Sequence, residues 1–286
     1  MNKDKLTALC HKIASETGVT FNSVLTYYFL ENVLKMLSKS SYKDRLIFKG
    51  GYILSNIVGL DSRSTIDIDL LFKDASLSKN DVHMMFESTL KHNEYTNIDF
   101  ELYDVDEIKK EDNYGGYRVR IVCKLENIRQ VVPIDIGTGD LVTYQPVDYE
   151  YITLFLNENL NIKSYNLETM LAEKLETIYS KGFLNSRSKD FYDVHILFRL
   201  KKSEIDFNRL RVACERTFLH RATTLNFSNL KDLIIALSKD KGFYDRWEAY
   251  TRKNTYASDT KLLDVINSIY LLVDEIEKVQ NSREGS

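Results

Sequence analysis

Residues 46–72 read Leu46-Ile47-Phe48-Lys49-Gly50-Gly51-Tyr52-Ile53-Leu54-Ser55-Asn56-Ile57-Val58-Gly59-Leu60-Asp61-Ser62-Arg63-Ser64-Thr65-Ile66-Asp67-Ile68-Asp69-Leu70-Leu71-Phe72. Leu46 to Phe48 is a short apolar run stopped by paired glycines, which predicts a strand that ends in a tight turn. Tyr52 to Val58 has helical spacing, and Gly59 to Thr65 is a polar turn. Ile66 to Phe72 alternates with period two, so Ile66, Ile68 and Leu70 are expected on one face and Asp67 and Asp69 on the other. The order is therefore strand, turn, helix, loop, and a strand with an acidic face.

Upstream, apolar residues recur at helical spacing from Leu6 to Leu37, with Leu25, Tyr28, Phe29 and Leu34 in one stripe. Two leading helices are expected, with Thr20 or Asn22 available as a cap. Downstream, Ser78 with Asp81 three residues on opens a helix whose apolar positions are Val82, Met85, Phe86 and Leu90. Ile98 to Tyr103, Tyr117 to Leu125 and Gln130 to Ile136 are rich in Val, Ile and Tyr and read as strands. After Gly137-Thr138-Gly139 the character changes, and from about Asn166 onward nearly every segment is helical, so the boundary lies within residues 145–165. The expected division is residues 1–155, carrying the sheet and two leading helices, and a helical domain of residues 156–286.

The chain has 286 residues, 43% hydrophobic and 28% charged, enough to bury a sizeable core. A disordered chain is excluded by that composition. With 39 basic and 42 acidic residues the net charge is -3, so attraction to a polyanion has to be local. Residues 87–112 hold nine acidic against three basic residues, whereas 174–221 hold eleven basic against six acidic. An acidic sheet and a basic helical stretch suit an enzyme that handles phosphates, although charge alone equally describes a solvated helix surface. Cys10, Cys123 and Cys214 lie far apart, without zinc-ligand or disulfide spacing, and a reducing, cytoplasmic setting is expected. Met1 to Thr20 is polar and amphipathic, and no window approaches the roughly 18 consecutive apolar residues of a membrane span.

Three carboxylates carry the chemistry. Asp67 and Asp69, at consecutive positions on one strand face, would sit ~6 to 7 Å apart at the backbone, where like charges favour an intervening divalent cation such as Mg²⁺ or Mn²⁺. Asp135, inside the apolar run Val132-Pro133-Ile134-Asp135-Ile136, needs a partner. If its strand neighbours that of Asp67 and Asp69, the three acids converge as a two-metal centre with ions about 4 Å apart. Gly50-Gly51 at a strand-to-helix turn could cradle a phosphate, its backbone approaching closely and the helix start supplying N–H donors. It matches neither the P-loop nor the dinucleotide fingerprint. His11, His83, His92, His195 and His220 are scattered, so no histidine base is assigned, and the abundant aromatics are read as core.

Gly50-Gly51, Ser55 and Arg63-x-Thr65-x-Asp67-Ile68-Asp69 together resemble the opening motif of the polymerase-β-like nucleotidyltransferase superfamily, and in particular the AbiEii/AbiGii toxin family of abortive-infection systems. The resemblance continues in order through Asp135, Leu171-Ala172-Glu173-Lys174-Leu175 and Arg187-x-Lys189-Asp190-x-x-Asp193, covering about residues 46 to 200. Tyr52 stands where that family often has a small hydroxyl residue, and Thr65 where serine is common.

The resemblance implies an α+β fold: a polymerase-β-like domain with a mixed sheet, followed by an α-helical C-terminal domain, with the active site in the cleft between them. It implies that Asp67 and Asp69 hold two Mg²⁺ (or Mn²⁺) ions, that Asp135 completes the catalytic one, and that Gly50, Gly51, Ser55, Arg63 and Thr65 contact the triphosphate of an NTP. Lys174, Arg187 and Lys189 would offset phosphate charge, while Asp190 and Asp193 orient base, sugar or acceptor, with Lys174 and Asp193 counted among the catalytic groups. The implied reaction is transfer of NMP from an NTP, GTP or a pyrimidine nucleotide, to an RNA acceptor, the tRNA 3′ end, arresting growth reversibly during phage infection. The implied partner is a winged-helix antitoxin that acts without a stable complex. A monomer with no membrane role is expected. The competing functions are NMP transfer to a small molecule or a protein hydroxyl, and a non-catalytic NTP-binding module.

Overall fold

The computed structural model describes residues 1–73, 77–91, 93–108 and 115–284. His92 therefore lies outside the described residues, as does part of the acidic run within 87–112. The chain divides into two compact units, one formed by Met1–Asp140 with Pro146–Tyr165, the other by Leu141–Gln145 with Asn166–Ser286.

The first unit contains α1 (Lys3–Thr17), α2 (Phe21–Lys39), β1 (Leu46–Lys49), α3 (Gly50–Val58), β2 (Ile68–Phe72), α4 (Lys79–Lys91), β3 (Asp99–Ile108), β4 (Gly116–Leu125), β5 (Ile128–Gly137), β6 (Val147–Ile152) and β7 (Asn159–Ser164). Among the described residues the strands form one mixed sheet in the order β3-β4-β5-β2-β1-β7-β6. β2 runs parallel to β5 and β1 parallel to β7, and the remaining neighbours are antiparallel. The α+β class with a mixed sheet and a helical C-terminal region is thus as expected.

Alternation along the central strands sorts the two sheet faces. Ile68, Leu70, Val119, Ile134 and Ile136 are buried together, each contributing on the order of 1.5–3 kcal/mol by leaving water. The intervening positions hold Lys49, Asp69, Asp135 and Arg118. α2 lies against β5 and β7, with α1 and α4 also packed on it. It is accordingly apolar almost all round, from Val24 to Leu37.

Two local departures from the sequence reading matter. β2 begins at Ile68, and Ile66 is exposed instead of sharing the apolar face of Ile68 and Leu70. Thr65 Oγ1 donates to Asp67 Oδ1 at 2.5 Å, holding the chain in a bend just ahead of the strand. Residues 145–165, read only as a boundary, contain the β6–β7 hairpin, whose second strand extends the sheet beyond β1.

The second unit is built from α5 (Leu167–Lys181), α6 (Ser188–Lys201), α7 (Phe207–His220), α8 (Phe227–Leu237), α9 (Lys241–Lys253) and α10 (Leu262–Glu284). Side chains of Asn166, Asp206, Asn226 and Asp240 cap the first turns of α5, α7, α8 and α9. α10 packs along α6, α7 and α8. The 141–145 segment is tied in by Asn166, whose Nδ2 donates to Thr143 O at 2.9 Å, and by Arg209 over the Tyr144 ring. Cys10, Cys123 and Cys214 are buried free thiols. Among the described residues no helix is long and apolar enough to cross a membrane.

Candidate active site

Strand register draws a line of charge across four strands. Lys49 on β1 lies opposite Asp69 on β2, Asp69 lies beside Asp135 on β5, and Asp135 lies opposite Arg118 on β4. Neighbouring strands are ~4.8 Å apart, so two carboxylates stand side by side with a cation on either flank. Arg118 grips Asp135 with its fork: Nε donates to Oδ1 and Nη2 to Oδ2, both at 2.7 Å. The Asp135 side chain is 19% exposed and that of Arg118 42%. Hydrogen bonding and ion pairing to Asp135 raise the guanidinium's affinity for its proton, burial opposes them, and Asp67 and Asp69 reinforce them more weakly.

At the other flank, Lys49 forms a buried ion pair with Asp140 and lies 5.5 Å from the centroid of the Tyr165 ring. Asp140 follows β5 on the Gly137-Thr138-Gly139 loop, so this pair fastens the end of β5 to the end of β1. Lys49, Arg118 and Asp140 were not singled out in the sequence. The alternation Arg118-x-Arg120 on a strand facing an acid-bearing one was the available signal, but it becomes specific only once the register is known.

The two glycines earn their place by contact. Gly50 has φ +69°, and a Cβ there would overlap the Asp69 carboxylate. A Cβ at Gly51 would come to 3.1 Å from Arg63 Nη2 and 3.3 Å from Thr65 Oγ1. Gly50, Gly51, Arg63, Thr65, Asp67 and Asp69 are therefore one cluster, with Asp135 joined to it through Asp69. Lys49 at the N-cap of α3 supplies no side-chain hydrogen bond to the first turn, consistent with N–H groups available to an anion.

Ser55 departs from the expectation that it touches the triphosphate. It is buried, its hydroxyl donates to Tyr52 O at 2.7 Å, and it lies 3.4 Å from the Tyr27 hydroxyl. Behind α3 a polar network fills the interior. The Tyr151 hydroxyl lies 3.0 Å from those of Tyr27 and Tyr52 and donates to Glu31 at 3.1 Å. The Tyr52 and Tyr151 rings stack with centroids 5.7 Å apart. Tyr52 thus packs α3 from within and does not face the glycine turn as a phosphate ligand. Burial raises the Glu31 carboxyl to about 7, against the opposing pull of hydrogen bonds from the Leu154 and Phe155 amides and Tyr151.

In the second unit, Lys174 on α5 reaches Asp193 at 2.6 Å and Asp190 at 3.2 Å, both on α6. Arg187 Nε lies 2.9 Å from Asp190 Oδ2. The two carboxylates are buried, Arg187 is half-exposed, and Lys189 is exposed beside them. The predicted residues of this unit therefore come together, as an ion-pair cluster in which each buried acid has a cation. His195 is buried with Nδ1 2.8 Å from Ser268 Oγ, as a packed histidine.

Asp67, Asp69 and Asp135 carry the hard carboxylate oxygens that a divalent cation takes, and Asp69 stands beside Asp135. As the side chains stand, among the described residues no three His, Cys, Asp or Glu side chains close on one point as a metal cluster, and Arg118 occupies both Asp135 oxygens.

Residues 32–267 match the family model described as nucleotidyl transferase AbiEii toxin, type IV TA system. Two solved structures share the fold. A candidate nucleotidyltransferase from Helicobacter pylori is 15% identical, with a TM-score of 0.57, over 92% of this chain and 98% of its own. The JHP933 protein of Helicobacter pylori is also 15% identical, with a TM-score of 0.55, over 93% of this chain and 96% of its own. No curated protein matches the chain in sequence. The chain belongs to the AbiEii family of nucleotidyl transferase toxins of type IV toxin–antitoxin systems.

Proposed function

We propose that this toxin transfers NMP from an NTP, GTP or a pyrimidine nucleotide, to an RNA hydroxyl, the tRNA 3′ end, and so arrests growth reversibly during phage infection. The observation that carries the reading is the pair Asp69 and Asp135, side by side on parallel strands, with Gly50 pressed against the Asp69 carboxylate. In the reaction the acceptor oxygen bonds to the α-phosphorus, the α–β bridging bond breaks, pyrophosphate leaves with the electron pair, and the hydroxyl proton passes to solvent.

Mg²⁺ or Mn²⁺ would be held by Asp67, Asp69 and Asp135, and when bound would neutralise phosphate charge and favour the deprotonated acceptor hydroxyl. The Gly50-Gly51 turn and the first amides of α3 bind the triphosphate, with Arg63 beside Gly51 offsetting its charge. Lys49, locked by Asp140, holds the turn against Asp69. The excess of basic residues in 174–221, with Arg187 and Lys189 on the surface, supports a polyanionic acceptor. Within the ion-pair cluster, Lys174 fixes Asp190 and Asp193 in place, and these acids orient the bound groups. A winged-helix antitoxin opposing the toxin without a stable complex completes the proposal.

The test is transfer of label from each of the four α-³²P NTPs to total bacterial RNA with Mg²⁺, comparing wild type with the folded Asp67→Ala/Asp69→Ala double variant. Label on tRNA-sized RNA from wild type alone is the expected result. Label on a protein or small molecule and none on RNA would replace the acceptor. NTP binding with no label anywhere would leave a sensing module.

A further inference from the structure

Arg118 is the feature of the charged row that transfer chemistry leaves unexplained. Its guanidinium takes both oxygens of Asp135, one of the three carboxylates assigned to the metal. A carboxylate gripped in this way is already neutralised, and a dication brought to it would sit against a like charge. The two flanking cations are not equivalent. Lys49 is buried, 10% exposed, and fixed between Asp140 and the Tyr165 ring, whereas Arg118 is 42% exposed and able to turn outward. Its register partner on the outer side is Asp106, which already accepts from Arg120 Nη1 at 2.9 Å, as does Asp104.

We infer that Arg118 is a positioning residue that competes with the divalent cation for Asp135 and yields the carboxylate to it as a triphosphate arrives to take the guanidinium. The inference rests on the nucleotidyl-transfer reading of the site. A guanidinium fork matches phosphate oxygens as well as it matches a carboxylate, so the exchange replaces one charge-assisted pair by another. Metal loading is thereby coupled to nucleotide binding: the cation alone must displace Arg118 without compensation, whereas metal and triphosphate together pay no such penalty. Asp69 and Asp135 are meanwhile kept from repelling one another, which explains why a cation belongs at this position of β4.

The experiment is Mn²⁺ binding followed by EPR, with and without a non-hydrolysable NTP analogue, on folded wild type, Arg118→Ala, Arg118→Lys and Asp69→Asn. Competition predicts that Arg118→Ala binds Mn²⁺ alone about tenfold more tightly, as expected for release of one charge-assisted pair, and binds the analogue several-fold more weakly. Arg118→Lys, which keeps the charge and loses the fork, falls between the two and guards against failure of the alanine variant to fold. Mn²⁺ affinity unchanged or weakened in both Arg118 variants, with Asp69→Asn abolishing binding, overturns the competition and leaves the site reading intact. Mn²⁺ affinity indifferent to Asp69→Asn overturns both.

Discussion

Gly50 and the Asp69 carboxylate touch so closely that no Cβ fits between them, and Gly50 holds a left-handed φ of +69°. A strand-to-helix turn and the acidic strand beside it are thereby locked to one geometry. Gly50→Ala is expected to cost ~1–2 kcal/mol from the backbone conformation alone, with the displaced Asp69 adding to it. Transfer activity should fall further than stability. Chemical denaturation alongside label transfer checks both, and a variant as stable and active as wild type would refute the tight contact.

Lys49 and Asp140 form an ion pair with side chains only 10% and 9% exposed. Removing one partner takes a buried counter-charge from the other, so Lys49→Met should destabilise the protein by about 3–5 kcal/mol. The Lys49→Met/Asp140→Asn double variant should recover part of that loss. A double-mutant cycle measured by urea unfolding reads the coupling directly, and strict additivity would show that the pair is not a unit.

Lys174 serves two buried carboxylates, Asp190 and Asp193. Lys174→Ala leaves them with the half-exposed Arg187 as their remaining neighbour within the cluster described, and a loss of roughly 3 kcal/mol or more is expected. Asp193→Asn should be milder, since an amide removes the stranded charge. Thermal unfolding of the two variants gives the order, and the reverse order would contradict the cluster's electrostatics.

Glu31 makes stability depend on pH. Burial raises its carboxyl from an ordinary value of 4.5 to about 7 in the folded protein. A raised value means that the folded state binds the proton more tightly than the unfolded chain. Its contribution is therefore complete below about 4.5 and declines as pH rises through about 7. Unfolding midpoints of wild type and Glu31→Gln from pH 4.5 to 8 should converge or cross because wild type loses stability relative to the variant as pH rises. Parallel curves would rule this out.

Much of the layout of the candidate site was legible before any coordinates. The period-two run at Asp67 and Asp69, the glycine pair, and an acid isolated within Val132 to Ile136 each follow from local pattern, and β2 and β5 do lie side by side. What local pattern lacks is register. Arg118 opposes Asp135 only because β4 and β5 align as they do, and shifting that pairing by one residue would turn Arg118 to the other face. Ser55 was misplaced because helical spacing gives a face without saying that the interior behind α3 is polar and filled with Tyr27, Tyr52 and Tyr151. The β6–β7 hairpin escaped because its polar, exposed alternate positions resemble a linker until β7 is seen pairing with β1. Ile66 was assigned to the strand by alternation, and the Thr65–Asp67 hydrogen bond outweighed it.

In the proposed reaction Asp69 and Asp135, adjacent across β2 and β5, act together. The most direct measurement is NTP-dependent pyrophosphate release by wild type, Asp69→Asn and Asp135→Asn, each shown by circular dichroism to be folded. Loss of release by at least a hundredfold in both variants, with release by wild type dependent on an RNA acceptor, is the predicted result. Release within a few-fold of wild type in either variant would contradict it.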